Sequence, residues 1–187
     1  MSAVILPGWY GKLPVLGDFA GRRLPPVFVE PWDHWLATGL AHWRASDSAW
    51  LDGFLAAPTL RFVLGAGIPF DGSPGYAGVL MPSVDRVGRY FPLTVARARD
   101  IGETEAPSAW LHAMEGLAVA ALNEDWSAER LDAELGHRPE ESDGGPAWPG
   151  QGQTLWWCVR DGTASSPVAA HGLPPDDAFV RLLAQAA

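Results

Sequence analysis

The chain has 187 residues, a length that fits one domain with its own hydrophobic core. Its composition, 48% hydrophobic and 19% charged, is that of a folded globular protein rather than a disordered one. A formal net charge of −9 argues against a nucleic-acid binder that depends on phosphate neutralisation. The single cysteine, Cys158, excludes an intrachain disulfide framework and a cysteine-based zinc site.

The sequence also predicts that the protein does not insert into a membrane. It contains no apolar run of the roughly 18 residues that a membrane span requires. Its first residues lack the basic side chains of a signal peptide, and Pro7 and Gly8 come too early for the apolar region of one. We therefore expect a cytoplasmic protein.

In chain order, the first half predicts strands and helices in alternation. The patterns indicate strands at 4–10 and 19–24, helices from 31 and at 48–56, and strands at 59–64, 78–85 and 90–97. The helix that starts at Pro31 has an apolar stripe with the 3.6-residue period, formed by Trp32, Trp35, Leu36, Leu40 and Trp43. The segment Arg86–Arg89 predicts a hairpin turn between the last two strands.

The second half predicts helices at 107–122 and 127–135, a strand at 154–160 and a last helix at 176–184. Residues 136–153, rich in glycine, proline and acids, are interpreted as a mobile acidic loop inside one domain that spans 1–187. Trp148 in this loop is either an anchor packed on the domain or an exposed contact for a partner. Because helices and strands are interspersed and one strand pair forms a hairpin, we expect an α/β fold with a mixed, partly antiparallel sheet.

The sequence contains no complete catalytic or ligand-binding motif. Gly11-Lys12 lacks both the earlier glycine and the following serine or threonine of a phosphate-binding loop. The five histidines have no metal-binding spacing, so neither a metal nor a cofactor is expected. Cys158 is expected to be a buried thiol. A small cytoplasmic hydrolase that uses Asp18, Ser83 or Asp85 is the alternative to a non-catalytic protein.

Two segments contain the charged residues of greatest interest. The first is GWYGKLP at 8–14, followed by GDF at 17–19, and the second is GVLMPSVDRVGRYFPL at 78–93. The candidate interaction residues are Lys12, Asp18, Arg22, Ser83, Asp85, Arg86 and Arg89. They form either structural ion pairs or an anion-receptive surface for an acidic partner or a phosphate group. We expect Arg86 to be the structural partner and Arg89 to be exposed.

These two segments, separated by a tryptophan-rich helical region, resemble the TagF (ImpM) family of bacterial type VI secretion accessory proteins. The resemblance covers about residues 5–125 and implies a three-layer α/β/α sandwich. It also implies a cytoplasmic regulator that represses assembly of the secretion apparatus after translation, through protein binding with a forkhead-associated scaffold protein. Some relatives are fused to a PP2C-type phosphatase domain, which this sequence lacks, so we expect no enzyme activity.

Overall fold

An eight-stranded β-sheet runs through the protein, which the computed structural model describes at residues 5–137 and 144–184. The strands are β1 Gly8–Gly11, β2 Ala20–Arg22, β3 Leu60–Leu64, β4 Tyr76–Met81, β5 Leu93–Ala98, β6 Gln153–Arg160, β7 Thr163–Ala164 and β8 Val168–His171. Their order is β2-β1-β5-β4-β3-β6-β7, and β8 pairs with β6. Every pairing between these described strands is antiparallel, so the expectation of a mixed sheet was wrong. The α/β class is confirmed.

The predicted hairpin is formed by β4 and β5, which pair from Tyr76–Ala98 to Met81–Leu93. Their connection is longer than a tight turn and is called here the β4–β5 loop, residues 82–92. Pro82 and Pro92 stand at its two ends, where a missing N–H would interrupt the ladder. The second motif segment begins in β4 and ends in β5, so the sheet holds both of its ends. A single bridge between Val84 and Tyr90 joins the two sides of the loop between them.

Five helices complete the described chain: α1 Pro26–Ser46, α2 Trp50–Ala56, α3 Ser108–Asn123, α4 Ala128–Leu135 and α5 Asp176–Ala184. Helix α1 begins five residues earlier than predicted, with Pro26 in its first turn and Pro31 in its interior. The buried Phe28 extends the apolar stripe backwards, and Pro31 in the helix interior cannot donate an intrahelical hydrogen bond. Ser127 is the N-cap of α4, as predicted. No described helix is both long and apolar enough to cross a membrane.

The alternation of side chains along the strands produces two separate cores. The α1 face of the sheet packs against α1, α2 and α5, and its core includes Phe28, Trp32, Leu36, Leu40, Trp43, Phe54, Phe62, Trp156 and Phe179. The α3 face packs against α3 and α4, and its core includes Val63, Val79, Val95, Leu111, Met114, Ala118, Ala121 and Leu131. Phe62 and Val63, neighbours on β3, therefore point into different cores.

Trp148 is packed onto the domain rather than exposed. Its side chain is 8% exposed, and its Nε1 donates a 3.2 Å hydrogen bond to the carbonyl of Leu64. The structure thus selects the anchor from the two roles considered for this residue. Residues 138–143 of the loop predicted to be mobile lie outside the described residues, and the mobility of 136–153 stays a prediction.

Candidate functional site

The lysine of the first motif segment is buried at the end of β1. Its ammonium group donates a 2.6 Å hydrogen bond to Oδ2 of Asp85, and the two side chains are 4% and 0% exposed. A buried charge requires a partner of opposite sign, since desolvation of an unpaired ion is very unfavourable. The Lys12–Asp85 pair therefore connects the two motif segments across 73 positions of sequence.

Asp85 is the centre of a hydrogen-bond cluster in the β4–β5 loop. Its Oδ2 also accepts a 2.7 Å hydrogen bond from Nε of Arg89, and its Oδ1 accepts from the backbone N–H groups of Val87 and Arg89 at 3.0 and 2.9 Å. Burial raises the pKa of this carboxyl, but the donated hydrogen bonds outweigh burial and hold the pKa well below its usual range. Asp85 is consequently an ionised structural acceptor at neutral pH.

The expectation for the two arginines of the β4–β5 loop is right in part: Arg89 is exposed, as expected, but Arg89 rather than Arg86 is the partner of Asp85. Arg89 is bonded to Asp85 and also donates from Nη2 to the carbonyl of Gly17, although 56% of its side chain is exposed. Arg86 uses its backbone N–H to bond the carbonyl of Leu16 at 2.8 Å, and its side chain has no ion pair within 5–137 and 144–184. The positive φ of Gly88 (83°) turns the chain so that Arg89 returns to the carboxylate.

The remaining predicted residues divide between the cluster and the surface. Ser83 is buried and donates a 2.6 Å hydrogen bond to the carbonyl of Lys12, so it joins the cluster. Asp18 is exposed and accepts the N–H of Phe19, whereas Arg22 lies on β2 with its guanidinium 6.0 Å from the ring of Trp9. In the part of the chain that the structure describes, neither side chain has a hydrogen bond or an ion pair with the cluster.

The three residues of the hydrolase alternative are not arranged as a nucleophile with its base. In the described part of the chain, Ser83 forms no hydrogen bond with a histidine or a carboxylate, and Asp18 and Asp85 accept from different groups. Over the same residues, no group of histidine, cysteine and carboxylate side chains could hold a metal ion.

A groove of about 650 Å³ opens beside the Lys12–Asp85 pair. It lies between α1, α2 and the β4–β5 loop, and its aromatic lining consists of Tyr10, Phe19, Trp50, Tyr90 and Phe91. The ring of Phe19 stacks on Tyr10 at a centroid distance of 5.8 Å and meets Phe91 edge-on at 4.8 Å. The ammonium group of Lys12 lies 4.3 Å from the centroid of the Phe19 ring, which links the buried ion pair to the groove.

Of the four charged residues that line the groove, the sequence predicted Lys12 and Arg89 as candidates but not Asp33 and Arg44. Asp33 accepts a 2.6 Å hydrogen bond from the hydroxyl of Tyr10, and burial followed by this bond raises the pKa of that tyrosine. The guanidinium of Arg44 lies 4.4 Å from the ring centroid of Trp50. A signal was present in the helix, because positions 33, 37, 40 and 44 share one face of α1 at offsets of four, three and four.

Comparisons with known proteins identify the family of this chain. The family model of the TagF N-terminal domain, described as type VI secretion system-associated, matches residues 8–137. This protein therefore belongs to the TagF family of type VI secretion system-associated proteins, and the resemblance read from the two motif segments is confirmed.

A solved structure is similar over nearly the whole chain. The crystal structure of PA0076 from Pseudomonas aeruginosa PAO1 aligns with a TM-score of 0.77 and 32% sequence identity. The alignment covers 96% of this chain and 94% of PA0076. None of the curated protein sequences matches significantly.

Proposed function

We propose that this type VI secretion system-associated protein acts by binding another protein through the groove beside the Lys12–Asp85 pair. The proposed partner is the forkhead-associated scaffold protein of the secretion system, and the proposed effect is post-translational repression of apparatus assembly in the cytoplasm. The observation that carries the proposal is the arrangement of the motif residues, because they form a hydrogen-bonded support for an open, aromatic groove.

The chemistry of the cluster favours binding over catalysis. The carboxylate of Asp85 accepts four hydrogen bonds, so its lone pairs are already in use. The hydroxyl of Ser83 and the ammonium group of Lys12 are likewise committed to internal partners. Aromatic rings and arginines next to such a rigid support are the residue types enriched where protein partners dock.

The proposal extends to the fold that the family resemblance implies. Helices α1, α2 and α5 contribute to the core on one face of the sheet, and α3 and α4 contribute to the core on the other. This division supports a three-layer α/β/α sandwich, with the groove at the edge of the α1 layer.

The test measures scaffold binding and repression with the same variants. The purified protein should bind the purified forkhead-associated scaffold of its own secretion system in titration calorimetry, and its overproduction should reduce type VI secretion. Replacing Trp50 by alanine removes a groove wall whose side chain is half-buried, so both readouts should weaken. The control is Arg160→Ala, at an exposed position of β6 outside the groove. Absence of scaffold binding by the wild-type protein would refute the proposal.

A further inference from the structure

We propose that the groove recognises an acidic segment of its protein partner, in which aspartate or glutamate side chains flank an apolar residue. This inference rests on the proposed function, because it names the chemistry of the partner segment that occupies the same groove. Two arginines would bind the carboxylates, and the ring of Phe19 with its neighbours would contact the apolar side chain.

The first observation concerns Arg89, whose guanidinium is both oriented and accessible. Its Nε is bonded to Asp85 and its Nη2 to the carbonyl of Gly17, which fixes the plane of the group. Its Nη1 has no hydrogen-bond partner within the described ranges, and the side chain is 56% exposed. A guanidinium held in this way loses little conformational entropy when it binds a carboxylate.

The second observation is that Arg44 is held at the same groove by different contacts. Its guanidinium lies over the ring of Trp50, and its Nη2 is 3.5 Å from the carbonyl of Tyr90. The residue itself is exposed. Two positioned arginines at one groove provide more than one site for a carboxylate, as a segment with several acidic residues requires.

The third observation is the contrast between the groove and the rest of the molecule. The lining contains three cations, Lys12, Arg44 and Arg89, and one acid, Asp33, whose carboxylate already binds Tyr10. Asp85 behind this lining and Asp18 near Tyr10 offset part of the positive charge. Because Lys12 is buried, the accessible positive charge is that of Arg44 and Arg89. The chain as a whole has a net charge of −9. An acidic segment is therefore repelled by the average surface and attracted locally, which directs it to the groove.

The fourth observation defines the apolar part of the segment. Phe19 is 43% exposed, although its ring is fixed by stacking on Tyr10 and by its contact with Phe91. An exposed ring that is rigidly held offers apolar contact area without the entropy loss of ordering a flexible side chain. We therefore expect an aromatic or aliphatic residue between the acidic residues.

The experiment starts from a library that has no bias toward acids. The full chain, immobilised through a terminal tag, is used to select from a phage-displayed library of random dodecapeptides. We expect the enriched peptides to carry an excess of aspartate and glutamate with an apolar residue among them. The most enriched peptide, synthesised with a fluorescein label, should lose at least about tenfold in affinity for Arg44→Glu. Its binding should also weaken as salt is raised.

A matched control separates a local effect from a change in net charge. Arg160→Glu makes the same charge reversal at an exposed position outside the groove and should leave the peptide affinity unchanged. Tyr90→Ala provides a second groove variant. Near-ultraviolet circular dichroism verifies that Arg44→Glu and Tyr90→Ala are folded. Because Arg89 also holds Asp85, it is not used as the test position.

Several outcomes would overturn the inference. These are no enrichment, enrichment of basic or uncharged peptides, or an affinity insensitive to Arg44→Glu in folded protein. Scaffold binding together with any of these results would leave the proposed function intact and refute only the acidic segment. Selection of acidic peptides without scaffold binding would instead refute the proposed partner and support the groove chemistry.

Discussion

The two faces of the sheet bury their tryptophans in different ways. On the α1 face, rings pack on rings: the indole of Trp32 has centroid distances of 4.9 to 6.2 Å to Phe28, Trp35, Phe62 and Trp156. On the α3 face, four tryptophans lie beneath guanidinium groups, in the pairs Trp9–Arg22, Trp110–Arg97, Trp126–Arg130 and Trp148–Arg99. The core of the α3 face also contains small residues such as Ala118 and Ala121.

The difference explains why the groove lies where it does. Aromatic packing on the α1 face continues outward through Phe91 and Tyr10 to the half-exposed Phe19, so rings remain accessible at the edge. On the α3 face arginines lie over four tryptophans, whereas on the α1 face Trp50 alone has such a contact within the described ranges, with Arg44 at the groove itself. The four changes below test this contrast, from the largest expected effect to the smallest.

Replacing Trp32 by alanine should disrupt the ring network of the α1 face. The residue is 0% exposed, and its Nε1 donates a 2.9 Å hydrogen bond to the buried hydroxyl of Thr94. We expect the free energy of unfolding to fall by about 3–5 kcal/mol in urea denaturation. The same replacement at Trp35, which is only half-buried, should lower the free energy of unfolding by less. A loss below about 1 kcal/mol for Trp32→Ala would contradict the ring network as a main source of stability.

Replacing Lys12 by methionine tests the Lys12–Asp85 ion pair beside the groove of the α1 face. The buried Asp85 carboxylate would lose its ammonium partner, so the melting temperature at neutral pH should fall. Because the pKa of Asp85 is lowered in the folded state, its stabilising contribution is present above the ordinary value of about 4 and is lost as the pH falls below it.

The pH dependence distinguishes an electrostatic role from a packing role for Lys12. We expect the melting temperature of the wild type to decline below about pH 4 more steeply than that of Lys12→Met, whose Asp85 is less stabilised as an anion. Parallel acid profiles for the two proteins would show that Lys12 acts through packing alone.

Replacing Ala118 by leucine should overpack the α3 face. The side chain is 0% exposed in the core formed by α3 and α4, and extra methylene groups there force neighbouring side chains to move. The expected loss is about 1–3 kcal/mol of unfolding free energy, measured by urea denaturation. The adjacent Val119 is 37% exposed, and its replacement by leucine should be nearly neutral. Equal effects at both positions would argue against close packing of this helix.

Replacing Arg130 by glutamine removes a guanidinium from a tryptophan on the α3 face. The group lies 4.3 Å from the ring centroid of Trp126 and donates a 2.9 Å hydrogen bond to Glu124, but it is half-exposed and water screens both contacts. We expect a loss below about 1 kcal/mol in thermal unfolding. Arg160→Gln, at an exposed arginine with no ring contact within the described ranges, serves as the control. If Arg160→Gln lowers the stability as much as Arg130→Gln does, the contact with the Trp126 ring adds nothing measurable.

Much of the fold follows from local patterns in the sequence. Four members of the predicted α1 stripe are buried and the fifth, Trp35, is half-buried, and the Ser127 cap is at the expected position. The start of α1 was misplaced because proline signals a first turn, and only the buried position of Phe28 shows that the earlier proline holds that place. Strands β7 and β8 were missed, since their short sequences carry little periodicity.

The candidate site was predictable in composition but not in connectivity. The two motif segments contain Lys12, Ser83, Asp85 and Arg89, and hydrogen bonds join these residues in one cluster. Which arginine reaches Asp85 depends on the backbone turn at Gly88, and local spacing does not specify that direction. The groove depends on long-range packing of α1 and α2 against the β4–β5 loop, so its lining had to be found in three dimensions.

The burial of Lys12 also determines how this protein can be studied by chemical labelling. It is the one lysine of the chain, and it is 3% exposed. Lysine-directed acylating reagents consequently meet no accessible lysine side chain while the fold is closed, and lysine-based cross-linking would record no side-chain contact of this protein with a partner. Acylation of Lys12 instead requires the structure around it to open, so the rate of acylation measures local unfolding at this one residue. Mapping of an interface calls for carboxylate-directed or photoreactive reagents.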